Sequence, residues 1–211
     1  MSLEFIDFIL GPFENNSYLV GDPVSKNAVV IDPSFNSEEI ILEALKKNYK
    51  ISAIWLTHAH FDHFAGVETL VKAYSPPLPV RIHPKDIDLY KNIGGAASFG
   101  VSLKIADSPI QEFLDHEELL IGKQKVEVRH TPGHTPGHVV FYFPNEHTLI
   151  CGDLIFFRSV GRTDLPGGNF DQLIDSINRE VLSLPDNTRI LSGHGIETTV
   201  GKERNTNPFL R

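Results

Sequence analysis

Thr57-His58-Ala59-His60-Phe61-Asp62-His63 packs three imidazoles and a carboxylate into six consecutive residues. A folding core gains nothing from such a run. Imidazole nitrogen and carboxylate oxygen are the usual protein ligands of zinc and of catalytic iron or manganese. In extended backbone, residues i and i+2 point the same way, so His58 and His60 can converge on one ion. Asp62 and His63 follow the bend and are within reach of a second ion. Two-metal hydrolytic sites hold their ions about 3.5–4 Å apart, close enough for one short loop to serve both.

The elements that must position this loop can be read around it. Ile51-Ser52-Ala53-Ile54-Trp55-Leu56 is an apolar run of strand length feeding directly into it. Three later segments repeat the arrangement. Thr131-Pro132-Gly133-His134-Thr135-Pro136-Gly137-His138 follows a strand ending at His130. Gly152-Asp153 follows one ending at Cys151, and Gly193-His194-Gly195 follows one ending at Leu191. In each, a potential ligand sits at a strand end beside Gly or Pro, residues that permit close backbone approach or preset a turn. Several such ends meeting at one edge would bring all these groups to one cleft.

Elsewhere, residues 4–9, 17–21 and 27–31 read as short strands. A helix is expected over Asn36–Asn48, with Asn36 as its cap, Glu39 three residues on, and Ile41, Ala44 and Leu45 as its buried stripe. A second helix is expected over 65–74. Val80-Arg81-Ile82 reads as a strand after the proline-rich turn at 75–79, and Gly94-Gly95-Ala96-Ala97-Ser98 as a loop. Strands follow at 124–130, 138–143, 147–151 and 188–192. The stretch from Phe170 to Leu182 is amphipathic, with Phe170, Leu173, Ile174, Ile177 and Val181 on one face. A polar helix or turn closes the chain. Two runs of strands, each followed by helices, suggest two packed sheets with helices outside.

The 211 residues suit one well-buried domain. The formal net charge of −8 is a poor match to a phosphate backbone, so a nucleic-acid partner is not expected. No apolar run approaches membrane-span length, and Glu4 and Asp7 stand where a signal peptide would be basic, so a cytoplasmic protein without a membrane partner is expected. Cys151 is the sole cysteine and reads as a small buried hydrophobe. Nothing in the pattern reads out an oligomeric state.

Together, H-x-H-x-D-H, the later Gly-His, Gly-Asp and final Gly-His-Gly resemble, in order, the motifs of the metallo-β-lactamase superfamily. Gly161-Arg162-Thr163-Asp164-Leu165-Pro166-Gly167-Gly168 and the tail from Glu203 to Phe209 are most similar to its short glyoxalase II-like (hydroxyacylglutathione hydrolase-like) members. The resemblance implies an α+β fold, a four-layer αββα sandwich formed by residues 1–211 as a single domain. It implies two divalent metal ions, zinc first and iron or manganese as alternatives. His58, His60 and His134 would hold one, Asp62, His63 and His194 the other, and Asp153 both. A hydroxide bridging the ions would attack a thioester carbonyl, with Asp62 as the catalytic residue that orients it. Arg162 would contact a small-molecule substrate of the S-lactoylglutathione type.

Two departures concern the carrier. The chain ends about 17 residues after His194, so the helical C-terminal glutathione-binding domain of the longer enzymes is expected to be absent. Gly195-Ile196 also stands where those enzymes carry a Tyr. The alternatives are a persulfide dioxygenase using one iron on His58, His134 and Asp153, or a lactonase or other metallo-hydrolase on the same site. Among the remaining histidines, His83 reads as a turn residue and His116 and His147 as exposed. His130 and His138 are candidate outer partners of the ligands, and so is Asp32.

Overall fold

The computed structural model describes residues 2–210. Six strands form the first sheet: β1 (Glu4–Leu10), β2 (Asn15–Gly21), β3 (Asn27–Ile31), β4 (Lys50–Trp55), β5 (Val80–Ile82) and β6 (Ile110–Glu112), in sequential order. β1 to β3 pair antiparallel, as short turns allow. β3 to β6 pair parallel, which requires crossovers. The crossovers hold α1 (Glu38–Lys46), α2 (Val67–Ala73) and α3 (Ile87–Lys91).

The second sheet contains β7 (Glu118–Ile121), β8 (Gln124–His130), β9 (Val139–Phe143), β10 (Thr148–Gly152), β13 (Arg189–Ser192) and β14 (Thr198–Thr199). β11 (Ile155–Phe156) and β12 (Ser159–Val160) make a separate hairpin. α4 (Phe170–Ser176), extended by a π-helical turn over Ile177–Val181, and α5 (Val200–Thr206) cover this side.

Side-chain alternation builds the layers. Tyr18 and Val20 of β2 face the second sheet, whereas Leu19 faces α1 and α2. Val139, Phe141 and Phe143 of β9 face the first sheet, and Val140 and Tyr142 turn toward α4. Every residue of β9 is buried, because both faces of its sheet are covered. The outcome is the expected αββα sandwich. No helix among the described residues is long and apolar enough to cross a membrane.

Three local expectations need correction. Asn36 is not the cap of α1: it takes a left-handed φ of 62°, and Ser37 begins the helix while its hydroxyl donates to the Ser34 carbonyl. The buried stripe of α1 runs through Ile40 and Ala44, one turn apart, leaving Leu45 65% exposed. Residues 94–98 are not an open loop but part of tight 3-10 turns over Ile93–Phe99, which Gly94 and Gly95 permit through φ values of 58° and 80°.

Candidate metal centre

The C-terminal ends of β4, β8, β10 and β13 open at one edge of the sandwich, each followed by residues singled out in the sequence. Backbone contacts close this edge. Val139 N donates to Thr57 O at 2.8 Å and Asn16 N to Gly193 O at 2.7 Å, joining the two sheets beside the ligand loops. Asn16 also donates through Nδ2 to the carbonyls of Ser192 and Gly195, gripping the loop that carries His194. Gly193 is required there: a Cβ would strike Asp153 Oδ1 and the His63 ring.

All seven expected donors meet at this edge. His58, His60 and His134 present nitrogens within 4.8 Å of one another, and Asp62, His63 and His194 form a second group of the same size. Asp153 lies between them. Its Oδ1 is 3.3 Å from His63 Nε2, and its Oδ2 is 3.7 Å from His134 Nε2 and 3.8 Å from His194 Nε2. Asp62 Oδ2 is 3.3 Å from His194 Nε2.

Outer neighbours dictate which nitrogen each ring presents. Asp32 accepts from Thr57 N at 2.7 Å, Thr57 Oγ1 at 2.6 Å and His63 Nδ1 at 2.9 Å. Those bonds occupy its oxygens, so Asp32 orients His63 rather than joining the cluster, although it lies near both His58 and His63. The Thr57 hydroxyl proton goes to Asp32, so His58 Nδ1 donates to Thr57 Oγ1 at 3.0 Å and its Nε2 faces inward. His134 Nδ1 donates to the Arg162 carbonyl at 2.7 Å, which also leaves Nε2 inward.

A metal fits this arrangement. His134 Nε2 sits 2.8 Å from His60 Nδ1 and 3.2 Å from His58 Nε2. With the opposite nitrogens of His58 and His134 carrying the protons, two bare lone pairs face each other, and a cation satisfies them. His63 Nε2 and Asp153 Oδ1 are likewise buried without a hydrogen bond. Burial, reinforced by neighbouring imidazoles, pushes His60 down to about 3 and holds His58 well below the ordinary histidine range. These rings are therefore neutral, as metal ligands must be. In the other group, burial works against charge on His63, but the carboxylates of Asp153, Asp62 and Asp32 outweigh it and hold His63 well above that range. Burial would raise Asp153, yet the charge on His63 brings it below the usual carboxylate range.

The sequence reading missed Asp86. It closes the 3-10 turn Pro84–Asp86 between β5 and α3, fully buried, and accepts from Ala59 N at 3.1 Å, Thr135 Oγ1 at 2.7 Å and Gly137 N at 2.6 Å. One carboxylate thus ties the loop of His58 and His60 to the loop of His134. No local signal marked it, because its partners are 27 to 51 residues away.

The other candidates separate clearly. His138 stacks on His58 at 5.1 Å, whereas His130 lies away from the cluster and stacks on His83 at 4.1 Å. His83 accepts from Lys85 N in the turn after β5, and His116 and His147 are exposed. Cys151 faces α4 in the outer core, and burial raises its thiol to about 12. Arg162 stands at the rim, 54% exposed and paired with Asp164 at 2.7 and 2.8 Å. A cavity of about 290 Å³ lies over the cluster, with His60, Asp62, His134, Asp153 and His194 on its floor and Arg162 at its side.

The metallo-beta-lactamase superfamily model matches residues 10–194. A probable metallo-hydrolase, YqgX, of Bacillus subtilis (strain 168) is 36% identical over 95% of this chain and 94% of its own length. Hydroxyacylglutathione hydrolase GloC of Haemophilus influenzae (strain ATCC 51907 / DSM 11121 / KW20 / Rd) is 34% identical, covering 100% of this chain and 98% of GloC. The crystal structure of TTHA1623 in a di-iron-bound form superposes with a TM-score of 0.88 at 41% identity, over 97% of this chain and 100% of that one.

Proposed function

This chain belongs to the metallo-beta-lactamase superfamily and is a metallo-hydrolase, and from that premise we propose that it is a thioesterase acting on S-2-hydroxyacylglutathiones. The observation that carries the reading is the donor cluster: six donors in two groups with Asp153 between them, five of the seven forming the floor of a cavity with space for a small acyl substrate. Likeness to GloC along its whole length supports the thioester class.

His58, His60 and His134 would hold one divalent ion and Asp62, His63 and His194 the other, with Asp153 shared. Zinc is the first expectation, and the same donors accept iron or manganese. When bound, such ions supply a water that ionises near neutral pH and an electrophile for the carbonyl oxygen. The protein supplies the rest. Asp62 faces the cavity and is 14% exposed, so its carboxylate can accept a hydrogen bond from the attacking water and aim it. Asp32 keeps a proton on His63 Nδ1, and the Arg162 carbonyl does the same for His134, so neither ring can turn its lone pair away. Asp86 holds two ligand loops in register before substrate arrives. Arg162 lines the cavity at its rim, and its guanidinium, paired with Asp164, can engage a carboxylate of the glutathione carrier once Asp164 yields.

The test is thiol release from S-lactoylglutathione by metal-replete protein, with a chelated control. Rapid, metal-dependent release is expected. Absence of release from this thioester and from S-mandeloylglutathione, with two metals bound, would reject the thioesterase reading. Oxygen uptake with glutathione persulfide, or opening of a lactone or β-lactam ring, would then identify the alternative.

A further inference from the structure

The cavity over the donor cluster has two unlike walls. One is aromatic: Phe13 from the β1–β2 turn, Phe61 from the ligand loop and Phe99 from the 3-10 segment, with Leu89 beside them. Phe13 meets Phe61 edge-on at 5.1 Å and Phe99 edge-on at 6.0 Å, and Phe61 lies 5.2 Å from Phe99. Gly94 builds this wall. A Cβ there would strike the Ala59 carbonyl, the Phe61 amide and the Phe64 ring, so the segment carrying Phe99 rests directly on the ligand loop. Phe99 nevertheless remains 47% exposed. A large ring held half in water at a cavity mouth forfeits burial that a bound apolar group would restore. The other wall carries Arg162, the only Lys or Arg among the described residues lining the cavity.

We infer that the Phe13–Phe61–Phe99 wall is a subsite for a bulky apolar acyl substituent, so that the preferred substrates are thioesters of aryl- or branched-alkyl 2-hydroxy acids rather than of lactate. This rests on the thioesterase reading: with the carrier at Arg162 and the carbonyl over the metal donors, the substituent on the carbonyl side is left facing the three rings. A methyl group leaves the three rings facing water, whereas a phenyl ring can take the edge-to-face geometry the wall already displays.

S-Mandeloylglutathione and S-lactoylglutathione share the thiol and the α-hydroxyl and differ only in phenyl against methyl. With the zinc-loaded protein, kcat/KM is expected to favour the mandeloyl ester by about tenfold or more. That ratio should fall toward unity in Phe99→Ala and in Phe13→Ala, with zinc content checked for each. Calorimetric binding of the product acids, mandelate and lactate, reads the same preference without turnover. A ratio near one in both assays overturns the inference, and so does a preference that survives both substitutions. If neither thioester is hydrolysed but mandelate binds more tightly than lactate, and Phe99→Ala removes the difference, the subsite stands and the thioesterase reading falls.

Discussion

Beneath the cavity floor, Asp32 and Asp86 each accept three hydrogen bonds from buried donors, and through them the ligand loops are fixed. At the mouth, Arg162 and Asp164 pair in view of solvent and Phe99 stands half in water. Both regions are built on loops, yet their physics is opposite. A buried carboxylate survives only with its partners, so each bond below is costly to lose. An exposed ion pair contributes about 0–1 kcal/mol and gives way readily. The floor is thus organised before substrate arrives, and the mouth is free to exchange its contacts for those of a ligand. Chemistry belongs to the first region and selectivity to the second.

The sharpest way to break this contrast is to remove a floor ligand. His58→Ala, or chelation of the native protein, should lower kcat/KM on the order of a thousandfold, with metal content measured in parallel. Retained turnover after metal loss would separate the cluster from the chemistry altogether.

The next effect concerns the residues behind the ligands. Asp86→Asn and Asp32→Asn preserve size but place an amide against donors. Each should weaken metal affinity by about 10–100-fold and cost about 1–3 kcal/mol of stability. Metal titration and denaturant melts read the two separately. Native metal affinity in Asp86→Asn would show that its loops hold their places without it.

At the mouth the effects should be smaller and of another kind. Arg162→Ala is expected to raise KM for a glutathione thioester several-fold, with metal content intact and stability altered by no more than about 0.5 kcal/mol. The His134 contact survives because it uses the Arg162 carbonyl. A fall in metal content would mean that the rim and floor are coupled.

The smallest effect lies behind both regions, in the parallel stack of His83 on His130. Burial, helped by the charge that His130 would carry, pushes His83 down to about 4 from an ordinary value of 6.5. The unfolded chain therefore binds the proton first. The contribution of His83 is complete above pH about 6.5 and is lost as pH falls toward 4. His83→Asn keeps an acceptor for the Lys85 amide and cannot titrate there. Its Tm should drop less than that of the native protein between pH 7 and 5, and parallel Tm profiles would remove His83 from the account.

How much of this was legible beforehand varies by residue. Asp32 could be suspected from its place at a strand end. Asp86 and Asn16 could not, because each looks like an ordinary polar residue until the fold brings its partners to it across tens of residues. The aromatic wall was equally hidden: Phe13, Phe61 and Phe99 share no periodicity and come from three separate segments. The α1 stripe was misread by a single position, Ile41 for Ile40, which is enough on a helix to turn Leu45 from core to solvent.

The order of the donors and their place after strands follow from the amino-acid sequence by itself, because strand patterning and ligand chemistry are local properties, and the sandwich that gathers them followed from the family those motifs resemble. Only the tertiary structure decided which nitrogen each imidazole presents. A histidine has two, and the choice rests on what the other one meets: Thr57 for His58, Asp32 for His63 and the Arg162 carbonyl for His134. Two of those three partners lie about thirty residues away along the chain, and packing alone brings them within 3 Å.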